Sequence, residues 1–248
     1  MSKLKNVILA CVLTGGCLTA HATVNIDRTR VVFVSEGDKA STVLNLKNYS
    51  ETEPYLAQTW ITDTNGRKEN LPLTVVPPIQ RMEPGSQSVV TLKALPAAKK
   101  LPQDRETLFM FNVRGIPPKV KEANVLLIAL QTEVKLFFRP ASLKKLAKEM
   151  GHPWQEKTIF RIKDKQLEAV NPTPFYVVLL TARPSVKGAE ISAFKSVTIA
   201  PYASEVIGGN AGLYGAGPVF TYINDWGGRV DMQYRCDGTS CTIDSKKA

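Results

Sequence analysis

Between Thr23 and Pro140, and again between Thr158 and Cys236, the chain is cut into short apolar or alternating runs closed by Gly, Pro, Asn or Asp. Such runs are too short for core helices and fit half-buried strands. The first series comprises Arg30 to Val34, Thr42 to Leu46, Tyr55 to Ile61 ahead of Asp63-Thr64-Asn65-Gly66, Ser88 to Leu95, Leu108 to Val113, and Asn124 to Phe138. The second comprises Thr158 to Ile162, Gln166 to Val170, Phe175 to Leu180, Lys195 to Ile199, Val219 to Ile223 and Val230 to Cys236. Each series predicts an antiparallel β-sandwich, and a chain of 248 residues, 44% hydrophobic, can supply both with a core. Trp60 is a candidate for the buried tryptophan of the first core. Val76-Pro77-Pro78 interrupts a ladder and predicts an edge or a turn, with a cis bond open.

Before these series, Lys3 and Lys5 precede an apolar stretch from Val7 to Leu13, and Ala20-His21-Ala22 has the small-x-small form of a cleavage site. Residues 1–22 therefore read as a secretory signal peptide, interrupted by Gly15 and Gly16 well short of the ~20 apolar residues of a membrane span. Cys17 lies four positions after Leu13, where a lipobox needs three. No membrane insertion follows, and export is expected. The formal net charge is +10, two units of which reside on Lys3 and Lys5. Its basic pairs, Lys99-Lys100 and Lys144-Lys145, lack the clustering and aromatic interleaving of a nucleic-acid surface.

The boundary between the sandwiches falls at Pro140 to Pro153, placing the domains at 23–145 and 146–248. Leu143, Leu146 and Met150 have helical spacing, but the segment is short and lysine-rich, so a linker with at most a turn or two of helix is expected. Two of the four cysteines, Cys11 and Cys17, lie in the signal. Cys236 and Cys241 flank Asp237-Gly238, a strong turn signal, and in an oxidising compartment this spacing favours a hairpin-closing disulfide. With His152 they make three of the about four ligands a zinc site needs, so no metal is expected.

Catalysis is hard to assemble. Beyond the signal the only histidine is His152, in the linker, and there is no free thiol once Cys236 pairs with Cys241. A nucleophile lacks its base, no G-x-S-x-G elbow or phosphate loop is present, and Asp104 and Glu106 bracket Arg105 as in a salt-bridged corner. The chain reads as a non-enzyme without a cofactor.

The informative stretch is Asn124-Val-Leu-Leu-Ile-Ala-Leu130. A strand with one face on the core and one in water alternates, yet here both faces are apolar. Leu127 and Ala129 are expected to pack inward, leaving Leu126, Ile128 and Leu130 on the other face. Either the protein covers that face itself or a partner completes it.

Together with its continuation Gln131-Thr-Glu-Val-Lys-Leu-Phe-Phe-Arg-Pro140, this stretch resembles the periplasmic pilus chaperones of the PapD type. So do Asp27-Arg-Thr-Arg30, Leu101-Pro-Gln-Asp-Arg-Glu106, Asn171-Pro-Thr-Pro-Phe175, Tyr222-Ile-Asn-Asp-Trp-Gly-Gly228 and the terminal cysteine pair. The likeness spans essentially the whole chain after the signal. It implies two immunoglobulin-like domains arranged as a boomerang, in the periplasm, with pilus subunits and an outer-membrane usher as partners. It implies no nucleotide, and leaves open self-association of the free protein.

The resemblance also implies roles. Leu126, Ile128 and Leu130 would fill the groove of a subunit that lacks its last strand. At ~1.5–3 kcal/mol per buried side chain, three contribute roughly 5–9 kcal/mol before ordering costs. Arg30 and Lys135 would hold the subunit's C-terminal carboxylate. Glu106, Arg139 and Asp225 correspond to an interdomain salt-bridge set, and Leu56 and Gln58 to the usher-facing region. The connection Gly115 to Ala123 is short, as in the subclass serving rod-forming or composite pili. Strict alternation places Lys135 opposite Leu126, Ile128 and Leu130, so either the strand bulges after Leu130 or the lysine reaches the cleft from the other face. A secreted carbohydrate-binding or adhesive β-sandwich is the alternative, and predicts an aromatic platform or a polar groove.

Overall fold

The structure is a computed structural model that describes residues 24–37, 40–119, 126–150 and 153–244. The signal segment, Asn124 and Val125, most of the expected Gly115 to Ala123 connection's second half, and His152 lie outside the described residues.

The first domain is a sandwich of two sheets. One has the order β1 (Val24–Ile26), β3 (Ser41–Asn48), β7 (Gln87–Ala94), β5 (Leu73–Val76), and the other β2 (Arg30–Ser35), β9 (Leu130–Pro140), β8 (Thr107–Ile116), β4 (Tyr55–Thr62), β6 (Ile79–Met82). Alternation along the strands sends Leu44, Leu46, Val90 and Leu92 from one sheet against Phe33, Phe111, Leu136 and Phe138 from the other.

Three expectations need correction here. The domain is not wholly antiparallel, because β2 pairs in parallel with β9, from Arg30 beside Lys135 to Ser35 beside Pro140. The cause is a sheet switch: the chain lies in the first sheet as β1, crosses at 27–29, and enters the second as an edge strand. Trp60 is not the core tryptophan. It stands on the outer face of β4 between the Lys68 ammonium and the Arg114 guanidinium, 4.4 and 5.1 Å from its ring centre, while Ala57 and Ile61 on the other face enter the core. In the strand expected from Asn124 to Phe138, the described residues 126–129 are not strand, and β9 begins at Leu130. Its last pair is Leu130 with Gly115, and because β8 ends at Ile116 and the pairing with β2 begins only at Lys135, residues 126–129 have no neighbouring strand among the described residues. Leu127 and Ala129, expected to pack inward, are therefore both exposed.

The β8–β9 register is unbroken from Thr107 beside Phe138 to Gly115 beside Leu130. No bulge follows Leu130 within this ladder, so Lys135 lies on the face opposite Leu130, Val134 and Leu136. The chain crosses from β5 to β6, in the other sheet, through a cis Val76–Pro77 bond.

The linker is more helical than expected: α1 spans Ala141–Glu149. Leu143 is buried against the first domain, Leu146 is exposed, and Lys144 pairs with Glu36.

The second domain is one hydrogen-bonded series: β13 (Val197–Ile199), β12 (Val177–Arg183), β15 (Val219–Ile223), β16 (Arg229–Cys236), β17 (Ser240–Ile243), β10 (Ile159–Lys163), β11 (Gln166–Val170), β14 (Ser204–Asn210). The two layers share β16, whose Arg229–Gln233 part pairs with β15 and whose Tyr234–Cys236 part pairs with β17. Phe160 and Phe220, from different layers, stack at 4.0 Å, and Tyr234 meets both edge-on. Cys236 and Cys241 form a disulfide across the β16–β17 turn.

Candidate functional site

Arg30 opens β2. Its neighbours Val31 and Phe33 turn into the first core, so alternation sends Arg30 outward, beside Lys135 on β9. It is nevertheless only 7% exposed, because the second domain covers it. Its Nη1 donates to the Ile223 carbonyl at 3.0 Å, and its guanidinium lies 5.6 Å from the Phe137 ring centre. Its Nε is buried and has no partner among the described residues.

Two cations thus stand side by side. Burial lowers the Arg30 pKa, against the attraction of Asp225 and Glu106. Burial also lowers that of Lys135, with Arg30 adding repulsion and Glu133 opposing it. Each shift says that the charged form is under-compensated. A bound carboxylate would meet both needs, supplying oxygen to the orphaned N–H and negative charge to the pair.

Glu106, Arg139 and Asp225 form a connected unit where the domains meet. The Glu106 carboxylate accepts from Arg139 Nε at 2.7 Å and from the Tyr176 backbone N–H at 2.7 Å, and its own N–H donates to the Pro174 carbonyl at 2.9 Å. Arg139 then grips Asp225 with Nη1 and Nη2 at 2.7 and 3.0 Å, over the rings of Trp154 and Phe175. Burial pushes the Glu106 carboxyl up, with Arg139 and the Tyr176 N–H pulling the other way. Burial opposes the Arg139 charge as well, but the hydrogen bond to Asp225 and the two carboxylate charges outweigh it and raise the Arg139 pKa.

Leu126 and Ile128 are 82% and 61% exposed, whereas Leu130, the first residue of β9, is half-buried. Leu56 is exposed and Gln58 half-buried on the outer face of β4, opposite Ile116 and Arg114. Neither touches the Arg30–Lys135 pair in register. No cluster of metal-ligating residues occurs among the described residues, and no described helix is long and apolar enough to cross a membrane.

The sequence gives no sign of the Ile223 carbonyl, the Tyr176 N–H or the Phe137 ring at this site. Two are backbone groups, which carry no residue signature, and Phe137 reads as one more core position until its face is known.

A first sandwich with an uncovered apolar segment just ahead of its last strand, and a second sandwich hydrogen-bonded onto it, is the arrangement that the resemblance to pilus-assembly chaperones implies. Residues 23–144 match the family Pili and flagellar-assembly chaperone, PapD N-terminal domain, and residues 153–234 match Pili assembly chaperone PapD, C-terminal domain. The chain belongs to this family. It is 40% identical to the "Probable fimbrial chaperone YfcS" of Escherichia coli (strain K12), over 100% of this chain and 96% of that protein. It is also 40% identical to the "Chaperone protein PapD" of Escherichia coli, over 98% of this chain and 99% of that protein. Among solved structures, the Pseudomonas aeruginosa CupB2 chaperone superposes with a TM-score of 0.68 at 30% identity, covering 86% of this chain and all of that one. The Salmonella enterica SafB chaperone, solved in complex with the SafA pilin, has the same fold, with a TM-score of 0.71 at 24% identity over 88% and 98% of the two chains.

Proposed function

We propose that the protein is a periplasmic, non-enzymatic chaperone that caps pilus subunits by lending them a strand and hands them to an outer-membrane usher. The observation that carries this reading is the solvent-facing segment from Leu126 to Ala129, contiguous with a strand whose pairing stops at Leu130. Burying such side chains drives association. Pairing of their backbone with a subunit's open edges fixes register.

Arg30 and Lys135 supply the directional contact, a clamp for a chain-terminal carboxylate. Leu126, Ile128 and Leu130 fill the subunit's groove, and Glu106, Arg139 and Asp225 hold the interdomain angle. Leu56 and Gln58, with exposed Ile79 beside Gln58 in register, form the face offered to the usher. No nucleotide or cofactor enters, since the capping strand would be exchanged for a subunit's better-fitting one.

Co-production with an exported pilus subunit tests this. A one-to-one complex should survive size exclusion and release the subunit when a synthetic peptide of residues 124–140 is added in excess. Equal recovery by a variant whose residues 126–130 are replaced with Gly and Ser would overturn the reading.

A further inference from the structure

We infer that the turn between β15 and β16, through Ile223 and Gly227, is a positioning element that aims the Arg30 guanidinium at its carboxylate. This inference rests on the capping role proposed above and adds a part to it that lies in the other domain.

A guanidinium carries five N–H donors in a rigid fork, and a carboxylate gripped by two parallel bonds occupies one whole edge of it. In Arg30 the Nη1 group is committed to the Ile223 carbonyl, and one flat face lies toward Phe137. Nε has no partner among the described residues. The edge that remains is Nε with Nη2. The carbonyl that imposes this choice comes from the second domain, whereas Arg30 belongs to the first. Without the turn in place, nothing else among the described residues holds Nη1.

The turn itself is rigid. Asn224 Oδ1 accepts from the N–H groups of Trp226 and Gly228 at 3.1 and 2.8 Å, and Asn224 N–H donates to the Gly228 carbonyl at 2.9 Å. Alternate residues then meet the first domain: Ile223 at Arg30, Asp225 at Arg139, Gly227 at Thr29. The last contact is close: a Cβ on Gly227 would lie 2.4 Å from Thr29 Oγ1 and would force that hydroxyl to turn away, and the φ of +83° independently favours glycine. The approach that brings Ile223 to Arg30 is thus set a few residues away by the smallest side chain available.

The experiment uses the full mature chain and one synthetic peptide copying a pilus subunit's C-terminal strand, prepared both as free acid and as C-terminal amide. The wild type should bind the acid roughly tenfold to hundredfold more tightly, the range for a charge-assisted contact. Gly227→Ala should cut that ratio below about threefold while leaving amide binding within about twofold. The double variant Thr29→Ala/Gly227→Ala removes the clashing oxygen but keeps the turn's backbone strain, and should recover most of the ratio. Thr29→Leu crowds the same contact without touching the turn and should lower the ratio if Gly227→Ala fails to fold. A full acid preference in folded Gly227→Ala or Thr29→Leu overturns the inference. A ratio near one in the wild type, unchanged by Arg30→Ala, would instead remove the carboxylate clamp itself.

Discussion

Lys135 stands beside Arg30 in the parallel β2–β9 register, so the edge of the first domain presents two neighbouring positive charges to the cleft. Like charges placed directly opposite on a sheet oppose folding. The lowered pKa of each, from burial first, has the same sense. The pair is therefore only partly compensated by Asp225, Glu106 and Glu133 in the free protein, and the carboxylate of the proposed clamp would offset the remainder.

It follows that Lys135→Met should stabilise the free chaperone while weakening it as a chaperone. Lys135 is half-exposed, so solvent screens the repulsion, and a gain of about 0.5 kcal/mol in denaturant unfolding is expected. Acid-over-amide preference for a subunit tail peptide should fall at the same time. A loss of stability in this variant would mean that the lysine serves the fold rather than a ligand.

The Glu106–Arg139–Asp225 unit behaves in the opposite way, because there opposite charges meet. Arg139→Ala leaves Glu106 buried without its guanidinium and should cost about 3–5 kcal/mol at neutral pH. Burial already raises the Glu106 pKa, and removing Arg139 takes away a lowering influence. A carboxyl with a raised folded-state pKa binds more protons folded than unfolded in the window between the two values, so its stability contribution falls as pH rises through that window. The variant should thus recover stability as pH is lowered from neutral toward the ordinary carboxylate range. Thermal midpoints at pH 7.5 and 5 compared with those of the wild type check the sign.

How much of this was legible follows from the same residues. Alternation and turn chemistry locate most strands, because β4, β7 and β8 each bury one face. The strands β1, β5 and β6 are too short to carry a period. The parallel β2–β9 ladder is invisible in sequence, since pairing direction leaves no mark on composition. Trp60 misleads for a similar reason: its face is fixed by β4's register with β8, and two cations make an outer position comfortable for an aromatic ring. The site divides likewise. The apolar run at Leu126–Leu130 is anomalous on physical grounds, whereas Arg30 and Lys135 stand out only through resemblance. The Ile223 carbonyl is a backbone group brought to Arg30 only by the packing of the two domains.

At the far end of the second domain, Asp237 closes the turn that the Cys236–Cys241 disulfide spans. The N–H groups of Ser240 and Thr239 donate to its carboxylate and hold its pKa down at about 2. A depressed carboxyl contributes stability above its unfolded pKa and loses it as pH falls through the folded value. A carboxyl titration followed by NMR should therefore place Asp237 near 2. Asp237→Asn should flatten whatever part of the acid destabilisation between pH 4 and 2 belongs to this turn. A midpoint near 4 would show the turn to be unformed in solution.

Ile128 offers the sharpest separation of fold from function. It is 61% exposed and pairs with no strand among the described residues, so Ile128→Asp should change the stability of the free protein by no more than about 0.5 kcal/mol. In a subunit's groove the same change removes an apolar contact of ~1.5–3 kcal/mol and buries an unpaired carboxylate, which costs several kcal/mol more. Subunit affinity should drop at least about a hundredfold with the thermal midpoint unmoved. Leu130, half-buried at the start of β9, provides the internal control: Leu130→Asp should lose both stability and capture. An Ile128→Asp chain that unfolds like the Leu130 variant would mean the segment is sealed by the protein's own residues in solution. One that captures subunits normally would mean the lent strand lies elsewhere.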